Sequence, residues 1–598
     1  MNIKLFSIFL SSFLAFSNAK IYSFNVVTIF GEGTNIGVKY NDNQYLQLQP
    51  TLFPLYSGTV SADNIDKYKF VVMNENGDVV EEEEIERTYN DNSSKVHEVY
   101  NRATKEVKIT DLPKSFDSNY DIDGSDKYKP LPVNEIYNVY CQCDGVYDSV
   151  KDLPFLNENN DRNDDTSMCT INIVTPTETF QTTGKLRISG FGSRFYKKLS
   201  WVIKFDEKFK GRKSLKARAL ANDPTLLRER LATDLYTAVG VPVQVGTYAR
   251  LFINNDVWGL YYLVDTLSKK WLTNYIHNGD KTKIGTNYKL ASNHPTGPYA
   301  DLKYLGEDVQ QYIDTHAYEI DESDADDKEA LEYGEHGFYR LIEFTKLFDD
   351  WVKKYKDDNS DESVKALEKF FDLETTLRMM VVEALSLARD NFWLVISNVA
   401  LYYNREKENY LFLPFDFDES MRGTQGEYLK DDYLQDCITW ADNVPNFDHY
   451  FTKSLFQNEK IVSRYKVILA KTIRDSFNLD TVTPYLNSLV ELIKDDVQWN
   501  FNATETLSTA YEGTLNHYTF QNFEENLEST AVMYQEPLIY TDTPYGLKQY
   551  VDLRSGNCKA FTADVKIPSG SISHQPSFKF ILLAQLLSFS FFIFQFFF

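Results

Sequence analysis

Two apolar runs, Asn-Val-Ala-Leu-Tyr-Tyr-Asn (398–404) and Asn-Tyr-Leu-Phe-Leu-Pro-Phe (409–415), flank the polar turn Arg-Glu-Lys-Glu (405–408). Runs this apolar and aromatic, separated by so short a turn, pair as a largely buried hairpin. The second run opens directly into Asp416-Phe417-Asp418. The first begins just after another apolar stretch that ends on Arg389-Asp390. A hairpin therefore brings Asp390, Asn398 and Asp416 to one edge of a sheet. Carboxylates and an amide oxygen grouped this way are hard donors suited to Mg2+ or Mn2+. A carboxylate not used by the metal can orient an attacking hydroxyl or take its proton. The plainer alternative makes the same Asp and Asn residues simple turn caps.

A second feature runs against the charge of the whole chain. Its 598 residues hold 62 Lys and Arg against 87 Asp and Glu, a net charge of -25. Such a balance excludes nucleic acid and anionic membrane surfaces as general partners. Yet between Lys185 and Arg230 fourteen basic residues stand against four acidic ones. Gly190 and Gly192 lie beside Ser193 and are followed by Arg194, Lys197 and Lys198. Glycine lets backbone N–H groups approach an anion, and Lys and Arg neutralise it, which predicts a polyphosphate site. A hairpin turn with a solvated basic strand is the alternative. Farther on, Asp223 and Pro224 predict a helix start, with Leu226, Leu227, Leu231, Leu235 and Val239 on its core face. Glu229 in that helix is placed to hold a lysine from the preceding strands against a phosphate.

The termini read as addresses. Lys4, the apolar run 5–16 and Ser17-Asn18-Ala19 form a secretory signal, 1–19. Residues 580–598 carry no charge, and the small residues Ser569-Gly570-Ser571 precede them across a polar spacer. That order is a GPI-anchor signal, 569–598, with Ser569 as the attachment residue. The expectation is a lipid-anchored protein on the outer face of the plasma membrane or in the cell wall. Five cysteines allow at most two disulfides, one of them joining Cys169 to Cys141 or Cys143. Asn92 and Asn502 sit in glycosylation sequons. Between the addresses, 20–115 reads as short strands of a β-sandwich. Residues 116–168 read as an irregular connector with an acidic loop, 169–545 as a mixed α and β region, and 546–568 as a linker. Within the large region Asp372 caps a helix whose Leu373, Leu377, Met380, Val381, Ala384 and Leu385 share one face.

Gly-rich turn, Lys, helical Glu, Asp with Asn, hairpin, Asp is the chain order of a protein kinase, although His-Arg-Asp, Asp-Phe-Gly and Ala-Pro-Glu are absent. The stretches LRISGFGSRFYKKLSW, LKARALANDPTLLRERLATDLYTAVGVPVQVGTYARLFINNDVWGLYYLVD, ADLKYLGEDVQQY and FLPFDFDES resemble the spore-coat CotH kinase family over about 169–540. The resemblance implies an α+β fold, with a β-rich N-lobe and a helix-rich C-lobe of atypical protein-kinase type following the N-terminal domain. It implies transfer of phosphate from ATP to Ser or Thr of a secreted or surface protein, with Mg2+ or Mn2+. By position, Lys198 would contact phosphate, with Lys197 the competing choice. Glu229 would pair with that lysine, and Asp390 would be the catalytic carboxylate. Asn398 and Asp416 would hold metal, with Asp418 a second ligand. After Asp-Phe-Asp the family's small residue or glycine is replaced by Glu419-Ser420-Met421. The resemblance therefore also implies an alternative: a catalytically inactive, kinase-like surface protein that acts as an adhesin or invasin on host or cell-wall partners.

Overall fold

Short strands that bury alternate residues build the first hundred positions of the chain. In the computed structural model, Lys20–Val27 pairs antiparallel with Leu55–Ala62, and Thr34–Tyr40 pairs antiparallel with Lys67–Asn74, each pair lying in its own small sheet. Apolar residues of both sheets, including Phe24, Val26, Val38, Phe70 and Val72, share one buried cluster. The structure describes residues 19–30, 33–41, 43–90, 92–104, 107–293, 296–322, 337–388, 390–421, 434–441, 447–535, 540–543 and 545–567. The expected GPI signal with Ser569, and all but the last residue of the expected signal peptide, lie outside these. No described helix is long and apolar enough to cross a membrane.

The next layer is a closed seven-stranded barrel. Its strands run in the order Ile136–Cys143, Ser167–Val174, Thr179–Ile188, Trp201–Phe209, Arg212–Arg218, Asp256–Asp265 and Gly246–Ile253. Parallel pairing of Ile136–Cys143 with Gly246–Ile253 closes it. The closing strand lies within the stretch expected to be an irregular connector. Its burial shows why it pairs: six consecutive residues, Ile136 to Cys141, are buried. Such a run reads as a strand covered on both faces rather than as a loop. Cys143 and Cys169 are directly opposite in this sheet and form a disulfide, while Cys141 stays reduced and buried.

The remainder is mixed α and β. The hairpin of Val399–Asn404 and Asn409–Pro414 forms in the register Val399↔Pro414 to Asn404↔Asn409. It extends a four-stranded sheet with Asn287–Leu290 and Tyr318–Glu322. Helix Leu373–Ser386 packs beside it, capped by Asp372, whose side chain accepts from Thr375 N. Its predicted apolar face is buried, and so is almost every other residue of the helix, Arg378 and Glu383 included. The stretch expected to link to the anchor instead forms helix Leu547–Phe561. Leu547, Tyr550, Val551, Arg554 and Cys558 are its buried stripe. That spacing of three and four residues is helical. Cys558 is bridged to Cys437, and Arg554 donates to the carbonyls of Ala384 and Leu434.

Candidate functional site

The strand Arg212–Arg218 sends Leu215 and Ala217 into the barrel core. Strand alternation therefore turns Lys216 and Arg218 to the opposite face, two residues apart. Helix Arg228–Ala238 lies against that face. Its start is tied down by Asp223, which accepts from the N–H groups of Leu227 (3.0 Å) and Arg228 (2.9 Å). Leu231, Ala232 and Leu235 anchor the helix in the large core, so Glu229 in its first turn is carried inward. Arg218 Nε donates to Glu229 Oε1 at 2.8 Å.

Asp416 arrives from the other side. Pro414 ends the hairpin strand, and Asp416 takes a left-handed φ of 64°. Asn391 Nδ2 holds this bend by donating to the carbonyls of Phe415 (3.1 Å) and Asp416 (3.3 Å). Phe415 N donates to Asn398 O at 3.0 Å. Leu387, Ile396 and Asn398 are also left-handed, at φ of 45°, 49° and 46°. Leu387 and Ile396 are left-handed caps of the helical segments that end there, whereas Asn398 and Asp416 bend the chain on either side of the hairpin.

The two halves meet in an ionic cluster. Lys216 Nζ lies 3.1 Å from Asp416 Oδ2, and Arg218 Nη2 contacts Asp416 Oδ1 and lies 3.0 Å from Asp418 Oδ1. Burial opposes the charge of Asp416, but Arg218 and Lys216 outweigh it and hold the carboxyl well below the ordinary range. Burial raises Asp418 and Glu229, and lowers Lys216. Burial also works against the Arg218 charge, yet Asp416, Glu229 and Asp418 together keep it protonated. Two cations thus hold three carboxylates, and Asp416 and Asp418 converge on one guanidinium nitrogen. Among the described residues no three His, Cys, Asp or Glu side chains are gathered as a metal set. A cavity of about 160 Å3 opens beside the cluster, lined by Lys216, Arg218, Glu229, Thr233, Phe415 and Asp416 among others.

Asp390 and Asn398 form a second pair, one layer of hydrogen bonds away from Asp416. Asn398 Nδ2 donates to Asp390 Oδ2 at 2.7 Å. Their loop is organised by Glu383, a carboxylate wholly inside the protein that accepts from Phe392 N (3.2 Å) and Trp393 N (2.7 Å). Burial pushes its pKa up to about 8.

The glycine-rich segment is placed elsewhere. None of Gly190, Gly192, Ser193, Arg194, Lys197 and Lys198 lines the cavity. Arg194 is buried, and its guanidinium donates to the carbonyls of Gly190 (2.8 Å), Pro154 (3.0 Å) and Asn163 (2.6 Å). Ser193 Oγ donates to Ser189 O at 2.8 Å. The expected pairing of Glu229 with Lys198 or Lys197 is corrected by the geometry. Lys198 Nζ is buried and donates to Leu260 O (2.6 Å) and Asn500 Oδ1 (2.7 Å), while Glu229 takes Arg218. The basic residues that reach the carboxylates come from the same basic segment, one strand pair later. Their signal was the alternation in Leu215-Lys216-Ala217-Arg218, which puts two cations on one face shortly before Glu229. Asn92 and Asn502, the sequon asparagines, are both exposed.

A family model described as CotH kinase protein matches residues 186–530. Invasin CotH3 of Rhizopus delemar is 25% identical over 539 residues, which cover 87% of this chain and 82% of that protein. Spore coat protein homolog 1 of the same fungus is 24% identical over 335 residues, 55% of this chain and 48% of the relative. Inner spore coat protein H of Bacillus subtilis is 22% identical over 304 residues, 50% of this chain and 74% of the relative. The chain thus spans most of the first relative and about half of the second. The family match runs over more than half the chain and takes in the Lys216–Arg218 strand, the Glu229 helix and both aspartate loops, so the chain belongs to the CotH kinase protein family.

Proposed function

We propose that the chain is a secreted or cell-surface atypical protein kinase that moves the γ-phosphate of ATP onto a serine or threonine of a secreted or surface protein. The observation that carries this reading is the cavity at which two strand cations, a helical glutamate and Asp416 converge. In this reading the two N-terminal sheets are a β-sandwich, and the barrel and the helices beyond it play the parts of a kinase N-lobe and C-lobe. Lys216 and Arg218 neutralise phosphate, and Glu229 fixes Arg218 in place. Asp416 and Asp418, with Asn398, fit the oxygen-donor preference of Mg2+ or Mn2+, which takes one or two carboxylates and completes its shell with phosphate oxygens and water. When bound, the ion supplies charge neutralisation along the phosphate chain. Asp390, oriented by Asn398, accepts the hydroxyl proton. The acceptor oxygen forms its bond to the γ-phosphorus as the bond to the β–γ bridging oxygen breaks, and ADP leaves with that electron pair. The reading includes a GPI anchor and the extracellular face of the plasma membrane or cell wall.

The test is phosphate transfer from γ-labelled ATP to a generic protein acceptor by the full chain, with Mg2+ or Mn2+ and with nucleotide binding followed in the same samples. Asp416→Ala is expected to lower transfer on the order of a hundredfold or more. Asp390→Asn is expected to lower it about 100- to 10,000-fold with ATP binding retained. Folded wild-type chain that neither binds nor transfers would overturn the reading. A second reading, a non-catalytic surface protein engaging host or cell-wall partners, draws on the invasin relative and on one observation: both oxygens of Asp416 are already taken by Lys216 and Arg218. Absence of transfer by the folded wild type, together with binding to partner cells that ignores both substitutions, favours it.

A further inference from the structure

The cavity has a third cation in its wall, Lys289. It lies in the strand Asn287–Leu290, which is flanked by Tyr318–Glu322 on one side and by the hairpin strand Val399–Asn404 on the other. Its neighbours Tyr288 and Leu290 are fully buried in the main core. Alternation therefore turns Lys289 to the other face of the sheet, where it is half-buried. There its ammonium stands 5.8 Å from the ring centre of Phe415, the residue before Asp416.

What distinguishes Lys289 from the other two cations is its charge balance. Lys216 and Arg218 are held by Asp416, Asp418 and Glu229. Asp265, also in the cavity wall, is paired with Arg212, and Asp321 accepts from Asn287 Nδ2 at 3.2 Å. Lys289 forms no ion pair with any described residue. Glu319 stands across from Lys289 in the neighbouring strand without reaching ion-pair distance, so a half-buried ammonium in the cavity wall, beside an aromatic ring, is left placed to meet an anion in that cavity. A solvated lysine of the surface would instead point away from the cavity and the ring.

We propose that Lys289 binds the phosphate chain of the nucleotide, adding its charge to that of Lys216 and Arg218, which is shared with Asp416, Asp418 and Glu229. The inference rests on the nucleotide reading of the cavity. It makes Lys289 a binding residue, distinct from the proton acceptor and from the carboxylates that hold metal.

The test is calorimetric titration of the full chain with ATP, inorganic tripolyphosphate and adenosine, for wild type, Lys289→Gln and Lys289→Arg, with thermal melts to establish folding. Lys289→Gln is expected to weaken ATP and tripolyphosphate about ten- to hundredfold. Adenosine binding should be unchanged, and Lys289→Arg should recover most of the loss. Folded Lys289→Gln that binds ATP as tightly as wild type overturns the assignment of Lys289 alone. Equal losses for ATP and adenosine also overturn it, because they mean that the side chain shapes the cavity rather than holding phosphate. Wild type that binds none of the three overturns the nucleotide reading itself.

Discussion

Lys198 shows how one residue can look like a phosphate ligand and serve another purpose. Its buried ammonium, beside the ring of Tyr261 (4.6 Å), bonds two acceptors inside the protein. Burial lowers its pKa to about 7, from 10.5 for an ordinary lysine. In the unfolded chain it stays protonated up to its ordinary pKa, so between those two values the unfolded state binds the extra proton. Stability linked to Lys198 therefore rises with pH across that window. Urea unfolding of the wild type from pH 7 to 9.5 should show this rise relative to Lys198→Met. The variant should also be less stable by about 1–3 kcal/mol, because it removes a buried donor from the Leu260 carbonyl and from Asn500 Oδ1, which keeps the Leu260 N–H at 2.9 Å. Parallel pH profiles for the two proteins would assign the lysine a fixed charge instead.

Among the elements, the long helix Leu479–Thr506 is the fastener. Asp496, fully buried on it, accepts from Arg102 Nε at 3.0 Å and from Arg250 Nε at 2.5 Å. Arg102 follows the N-terminal sheets and Arg250 lies on a barrel strand, so one carboxylate joins three parts of the chain. Asp495 reinforces the joint by accepting from Ala103 N (2.9 Å) and Thr104 N (2.8 Å). A buried charge left without its partner is expensive, and here two guanidinium groups would be stranded together. Asp496→Ala should lower stability by about 3–5 kcal/mol. Asp496→Asn, which keeps an acceptor, should lose less. Chemical denaturation of the two variants checks the ranking, and equal losses would show that packing rather than charge is responsible.

For the whole molecule, the bridge between Cys437 and Cys558 decides how the C-terminal helix is kept. It closes a loop with a sequence separation of 121. Arg554 and Tyr550 of the same helix bond to the carbonyls of Ala384 and Leu385 at the end of the buried helix that leads to Asp390. The helix expected to be a mere linker thus braces the loop that carries the proposed proton acceptor. Cross-linking a loop of this length restricts the unfolded chain by on the order of 4–5 kcal/mol. The double variant Cys437→Ser, Cys558→Ser should unfold at a markedly lower urea concentration. The single bridge Cys143–Cys169, with a separation of 26, should matter less.

Local periodicity made much of this readable in advance. The hairpin 399–414 followed from two apolar runs and a short turn, and the helix after Asp372 followed from its cap and its three-and-four spacing. The order of Gly-rich turn, helical Glu, Asp with Asn, and Asp-Phe-Asp carried the family. Each of these is written within a few neighbouring residues, where backbone sterics and side-chain period act directly. Which cation faces Glu229 was not written that way. It depends on the barrel, where Arg212–Arg218 pairs with Asp256–Asp265 and a strand from the presumed connector closes the ring by pairing with Gly246–Ile253. A shift of one residue in such a register exchanges the two faces of a strand. Only the closed barrel therefore decides that Lys198 is buried against Leu260 and Asn500 and that Arg218 meets Glu229 and Asp416, while the four-stranded sheet turns Lys289 to the same cavity.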